Sequence, residues 1–175
     1  MKYTAIISCF LCGALCLVFS CSEVEKLLTF TIGDQTTFRV ESTAPLPLEI
    51  ATPDVTTNSS EKFENNNTAA NLVKNVKLQE VRLTISNPPG KTFSFLKSVN
   101  LFISTSQSNE IPLASIDNIP AGVSTVTMIT TDAKLDEYVK ASSYKLRTSV
   151  VTRETLSSAV DITVDLSFKV TAAPL

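Results

Sequence analysis

The chain has 175 residues, with 15 Lys and Arg against 17 Asp and Glu, four Cys, four Gly, eight Pro and neither His nor Trp. Without histidine it lacks the usual general base near neutral pH and the commonest metal ligand. Cys9, Cys12, Cys16 and Cys21 crowd the N-terminus and Gly13, Gly33, Gly90 and Gly122 are scattered, which excludes a disulfide framework, a cysteine zinc site and a glycine-rich phosphate loop from the remainder, so no metal and no cofactor are expected.

Met1-Lys2-Tyr3 forms a short positive head, and Ala5 to Phe19 is uncharged and mostly apolar. That run is shorter than the roughly 20 residues of a membrane-spanning helix, and the acidic Ser22-Glu23-Val24-Glu25 that follows is the wrong flank for one. Its length and flanks fit a secretory signal over residues 1–20.

The run ends in Leu17-Val18-Phe19-Ser20-Cys21, which resembles the lipobox of bacterial lipoproteins, with an aliphatic residue three before the cysteine and a small one just before it. Phe19 departs from the small or hydroxyl residue usual there. Cys9, Cys12 and Cys16 lack the same context, which leaves Cys21 as the acceptor. The resemblance implies cleavage before Cys21, a diacylglycerol on its sulfur and an acylated amino group, palmitate being a typical chain. Each buried methylene of such chains contributes about 0.8 kcal/mol, so two or three chains hold firmly. Ser22 is compatible with outer-membrane sorting in Gram-negative lipoproteins, and the acidic stretch after it resembles export signals of Bacteroidetes-type surface lipoproteins. Residues 21–26 then form a lipidated tether, and 27–175 a single domain. Removing residues 1–20 takes away Lys2 alone, moving the net charge from −2 to −3. No Lys/Arg cluster remains to displace counterions, so nucleic acid is not an expected partner.

The domain reads as strands. Leu28, Phe30 and Ile32 alternate with polar residues before Gly33-Asp34-Gln35, and Phe38 and Val40 resume the pattern; a hairpin with a three-residue loop sets Phe30 against Phe38 and Leu28 against Val40. Pro53 to Asn67 is polar and reads as an exposed loop, with Phe63 its single aromatic, either a contact residue or the loop's own anchor. Thr68 caps a turn running to Val73. Val81-Leu83-Ile85 and Val99-Leu101-Ile103 are strands divided by a turn at Asn87-Pro88-Pro89-Gly90. Ile111-Leu113 and Val123-Thr125-Ile129 give shorter ones around Asn118 to Gly122. Asp132 caps a helix from Ala133 to Ala141 that places Leu135, Tyr138 and Val139 on one stripe. Tyr144, Leu146, Thr148 and Val150 alternate, and Ile162, Val164, Leu166, Phe168 and Val170 alternate strictly with polar residues, a pair joined by a hairpin loop at Arg153 to Ser158.

About seven or eight strands with one or two short helices predict an all-β, antiparallel β-sandwich. It broadly resembles the immunoglobulin-like sandwiches of small bacterial lipoproteins of unknown function. The Cys–Trp–Cys core of antibody domains is missing, so the likeness is one of architecture.

Candidate chemistry is thin. Asp161 and Asp165 sit on the polar face of one strand at roughly 13 Å, beyond the about 5 to 9.5 Å of glycosidase pairs, and Lys169 continues a solvated row. Asp132, Asp136 and Glu137 read as a helix cap with favourable dipole contacts rather than a calcium site. Ser142-Ser143-Tyr144-Lys145 reads as a helix-to-strand connection rather than a Ser-Lys pair. Phe102 points away from the Val99-Leu101-Ile103 face and is either exposed or covered by the Pro53–Asn67 loop, coverage being the expectation. Tyr138 and Tyr144 lie on core faces, which argues against a tyrosine platform for sugars. No catalytic, cofactor-binding or metal-ligating residue is assigned, and no enzyme is expected. The leading expectation is an envelope protein of the outer membrane, periplasmic or surface-facing, held in the membrane by lipid at Cys21, with a protein or glycan partner. A glycan-binding accessory of a surface uptake system is the alternative, and a hydrolase with an unrecognised site ranks third.

Overall fold

A computed structural model describes residues 27–41 and 48–175. Among these, ten strands run in chain order: β1 Leu28–Val40, β2 Leu48–Ala51, β3 Val55–Thr56, β4 Val73–Asn87, β5 Leu96–Ser104, β6 Ile111–Ile116, β7 Thr125–Thr127, β8 Ile129–Thr130, β9 Ser143–Thr152 and β10 Val160–Ala172. Two short helices, α1 Ser59–Glu64 and α2 Asp136–Lys140, interrupt them. The strands form two antiparallel sheets, one ordered β1-β10-β4-β7 and the other β2-β9-β5-β6-β8, with β3 added against β9. This is the antiparallel all-β sandwich that the alternation predicts.

Strand pairing follows a nested rule. β1 pairs with β10, β2 and β3 with β9, β4 with β7, and β5 with β6. First meets last, then second meets second-to-last, as in one long hairpin. Rolling that hairpin sets β10 beside β4 and β9 beside β5, which closes two sheets over one core. That is jelly-roll connectivity. The likeness to immunoglobulin sandwiches therefore holds for the layers, while the strand order differs from the ABED and CFG sheets of that fold.

β10 is the spine of the core. Val160, Ile162, Val164, Phe168 and Val170 are fully buried and Leu166 nearly so, each worth about 1.5–3 kcal/mol on leaving water. In β4 the buried residues change phase, from Val76 and Leu78 to Val81 and Leu83. A bulge accounts for it: Ser167 faces Glu80 while Phe168 faces Leu78, which leaves Gln79 as the extra residue. One inserted residue restores the inward face, as period-two geometry requires.

Several local expectations are corrected. Gly33-Asp34-Gln35 is not a turn, because β1 runs 13 residues without a break and Gly33 pairs with Ser167. Alternation continues through the glycine, and β10 offers a partner for the whole length. The hairpin between β9 and β10 is likewise absent, since the two lie in different sheets. Residues 153–159 cross between layers, pinned by the Arg153 N–H donating to the Phe95 carbonyl at 2.7 Å and by buried Leu156. The turn at Asn87–Gly90 does form, with Gly90 at φ 77°, a conformation that favours glycine.

The Pro53–Asn67 segment is no exposed loop. It carries β3 and α1, and Phe63 is wholly buried, so that aromatic is the segment's anchor. Its buried Thr57 hydroxyl is satisfied by backbone, donating to the Ala141 carbonyl at 2.5 Å. Thr68 does not cap the following 3-10 turn at Ala70–Leu72; its hydroxyl donates to the Ala173 carbonyl at 2.6 Å and ties down the C-terminal segment. Helix α2 starts at Asp136, later than expected, and Asp132 pairs with Lys77 instead of capping it. The stripe of Leu135, Tyr138 and Val139 is buried as the spacing predicts.

Candidate functional site: a polar pocket beside an arginine network

Cys21, the lipidation candidate, and the whole of the signal and tether lie outside the described residues. The other candidates can be placed. Asp161 accepts from Arg39 at 2.9 Å and from Asn87 at 3.2 Å, while Asp165 accepts from Gln35 at 2.6 Å. The two carboxylates thus serve different cross-strand partners. Asp132, Asp136 and Glu137 also diverge, toward the Lys77 ammonium, the Val76 N–H and the Asn109 amide. Ser142 and Ser143 sit at the joint between α2 and β9. Tyr138 and Tyr144 are both buried.

Two charge clusters form that local sequence pattern does not show. Asp34 occupies an inward position of β1, with its side chain 3% exposed. One oxygen pairs with the Lys62 ammonium from α1, which also donates to the Gly33 carbonyl at 2.8 Å. The other accepts from the Tyr144 hydroxyl at 2.9 Å. Burial, reinforced by the Asp34 charge, pushes the Tyr144 hydroxyl far above the ordinary tyrosine range. Tyr144 in turn meets the Phe168 ring edge-on at 6.3 Å. The cluster therefore ties together β1, α1 and β9 across the two sheets. Its sequence signal is Asp34 itself, a carboxylate in the row of Ile32 and Phe38, where burial demands a partner.

The second cluster lies on the outer face of the other sheet. Arg147 on β9 donates to both oxygens of Glu110, at 2.7 and 3.0 Å, and pairs with Glu49 of β2. Its guanidinium lies 4.0 Å from the centroid of the Phe102 ring. Register explains the contact, because Phe102 and Arg147 are direct cross-strand neighbours. Arg147 thus lies over the Phe102 ring. The hydrogen bonds from Arg147 hold the Glu110 carboxyl below its usual range, against a smaller opposing effect of burial.

Next to this network the turn from β5 to β6 frames a cavity of about 400 Å³ lined by Ser104, Thr105, Ser106, Gln107, Glu110 and Lys145. Asn109 builds the turn from inside. Its amide oxygen accepts from the Thr105 and Ser106 N–H groups at 3.0 and 2.9 Å, and its amide nitrogen donates to Thr105 Oγ1 at 2.6 Å. From α2, Tyr138 donates to the Asn109 carbonyl at 2.7 Å. The pocket wall is thus hydroxyls, an amide, one carboxylate and one ammonium, held by side chains that are themselves braced. Such a lining offers hydrogen bonds to a polar solute.

No family model and no curated protein matches the chain. Among solved structures it is similar to a chain of turnip yellow mosaic virus, at 15% identity and TM-score 0.35, over 86% of this chain and 96% of that one. A chain of Desmodium yellow mottle tymovirus matches at 13% identity and TM-score 0.31, over 86% and 90%. The decameric BFDV capsid protein matches at 7% identity and TM-score 0.40, over 84% and 99%. At these identities and scores nothing about function passes to this chain.

Proposed function

We propose that the protein is a lipid-anchored module of the bacterial cell envelope, acylated at Cys21, carried at the outer membrane and acting by binding or by structure rather than by catalysis. The observation that carries this reading is the Leu17-Val18-Phe19-Ser20-Cys21 sequence after an apolar run with a basic head. Support comes from the fold's own layout. The first strand opens at Leu28, soon after the tether of residues 21–26, and Leu28 pairs with Ala172, so both ends of the domain share one end of the sandwich. Replacing Cys21→Ser moves the protein from the membrane fraction to the soluble fraction; unchanged sedimentation with membranes contradicts the anchor.

A second reading, a glycan-binding accessory, draws on one observation, the polar pocket at Ser104–Glu110 and Lys145. Its lining has the hydrogen-bonding character a sugar requires, though it has no aromatic platform.

A further inference from the structure

We propose that Asp34 and Lys62 join as an intramolecular amide, a covalent cross-link between β1 and α1, with Tyr144 as the group that assists its formation. Burial comes first. Asp34 lies in the inward row of β1, an edge strand among the described residues, with its side chain 3% exposed; Lys62 reaches it from α1 with 26% of its own side chain exposed. Oδ1 of Asp34 contacts the Lys62 Nζ, and Oδ2 accepts from the buried Tyr144 hydroxyl at 2.9 Å. The Gly33 carbonyl accepts from the same Nζ at 2.8 Å and fixes it beside the carboxyl. An amine and a carboxyl held in contact need no encounter from solution, which removes much of the barrier to joining them. A site poor in water also disfavours two charges relative to the neutral amide that would replace them.

The step balances within the cluster. Lys62 passes one proton to Asp34 Oδ1, which leaves a neutral amine and a carboxylic acid. The Nζ lone pair attacks Cγ, the C–N bond forms, and the carbonyl electron pair moves onto Oδ2. The Tyr144 hydroxyl, already donating to Oδ2, stabilises the charge that develops there. A second proton leaves Nζ for Oδ1, the Cγ–Oδ1 bond breaks, and Oδ1 departs as water while Oδ2 remains as the amide carbonyl. No other reactant is needed. Burial, reinforced by the Asp34 charge, keeps the Tyr144 hydroxyl protonated and able to donate. The exposed part of Lys62 gives the water a way out. The link joins residues 28 positions apart in the chain, so it restrains the unfolded state as a disulfide of that span does.

The test is peptide mapping by mass spectrometry of the full chain after denaturation and digestion with trypsin. The expected product joins residues 27–39 to residues 40–74, uncut after Lys62 and lighter by one water than the two peptides apart. Finding only the separate peptides 27–39, 40–62 and 63–74 overturns the proposal and leaves Asp34 and Lys62 as an ion pair. Lys62→Arg keeps a cation beside Asp34 but supplies no amine, so it should abolish the linked product; a linked 27–39 peptide in that variant overturns the assignment to Lys62. Tyr144→Phe should slow the linking of pulse-labelled chains about a hundredfold, as loss of one oxyanion donor does. A folded Tyr144→Phe chain that links at the wild-type rate overturns the role given to Tyr144. None of these outcomes bears on the anchor at Cys21 or on the glycan reading.

Discussion

Asp34 and Arg147 each organise a charge cluster, and the two differ in what surrounds them. The Asp34 carboxylate is 3% exposed and answers to Lys62 and Tyr144 at the edge of the core, whereas Arg147, 36% exposed, spreads over Glu110, Glu49 and Phe102 on an outer face. In the first cluster the Asp34 carboxylate is shut off from water, so a lost partner is hard to replace. In the second, water and salt compete for every contact. The inner cluster therefore belongs to the stability of the sandwich, and the outer one to a surface that can exchange partners.

The largest expected effect comes from breaking the inner cluster. Asp34→Ala leaves the Tyr144 hydroxyl without its acceptor in a buried site and should cost about 3 kcal/mol in urea unfolding. A loss below about 1 kcal/mol would place Asp34 among ordinary surface charges and erase the contrast. A smaller effect of opposite sign sharpens it. Thr148 is fully buried in β9, and its hydroxyl has no hydrogen-bond partner among the described residues. Thr148→Val should raise stability by about 1 kcal/mol, because an unsatisfied buried hydroxyl costs more than a methyl. Destabilisation by that substitution would mean that the hydroxyl is satisfied after all.

The outer cluster should show the smallest effect and a dependence on pH and salt. Glu110→Gln is expected to cost less than about 1 kcal/mol at neutral pH and less still at 1 M salt. Because the folded state holds the Glu110 carboxyl below the ordinary value of 4.5, its contribution is fully present above that value and disappears as the pH falls through the lowered one. The gap between wild type and Glu110→Gln should therefore close in acid. A gap that widens there contradicts the assignment.

The sequence carried the layers more clearly than the connections. The inward row from Ile162 to Val170 was legible because a strand with one dry face must alternate, and the stripe of Leu135, Tyr138 and Val139 because a helical turn must. The fate of Gly33 was not. Whether a glycine between two alternating runs turns or continues depends on a partner strand far along the chain, here β10. For the same reason β9 and β10 looked like a hairpin, since local pattern does not reveal that residues 153–159 cross between sheets. Of the pocket, the sequence shows Lys145 only as part of a connecting segment, and nothing in the local pattern marks Glu110. Residues from β5, from the turn that follows it and from β9 meet there through register, and single-residue alternation is silent about register between distant strands.

The claim on which the functional account turns is covalent, and mass spectrometry of the native protein extracted from membranes tests it most directly. The account predicts a chain that begins at Cys21 and carries the added mass of a diacylglycerol with, on its amino group, a further acyl chain. A chain that retains Met1, or a Cys21 whose sulfur bears nothing, contradicts it.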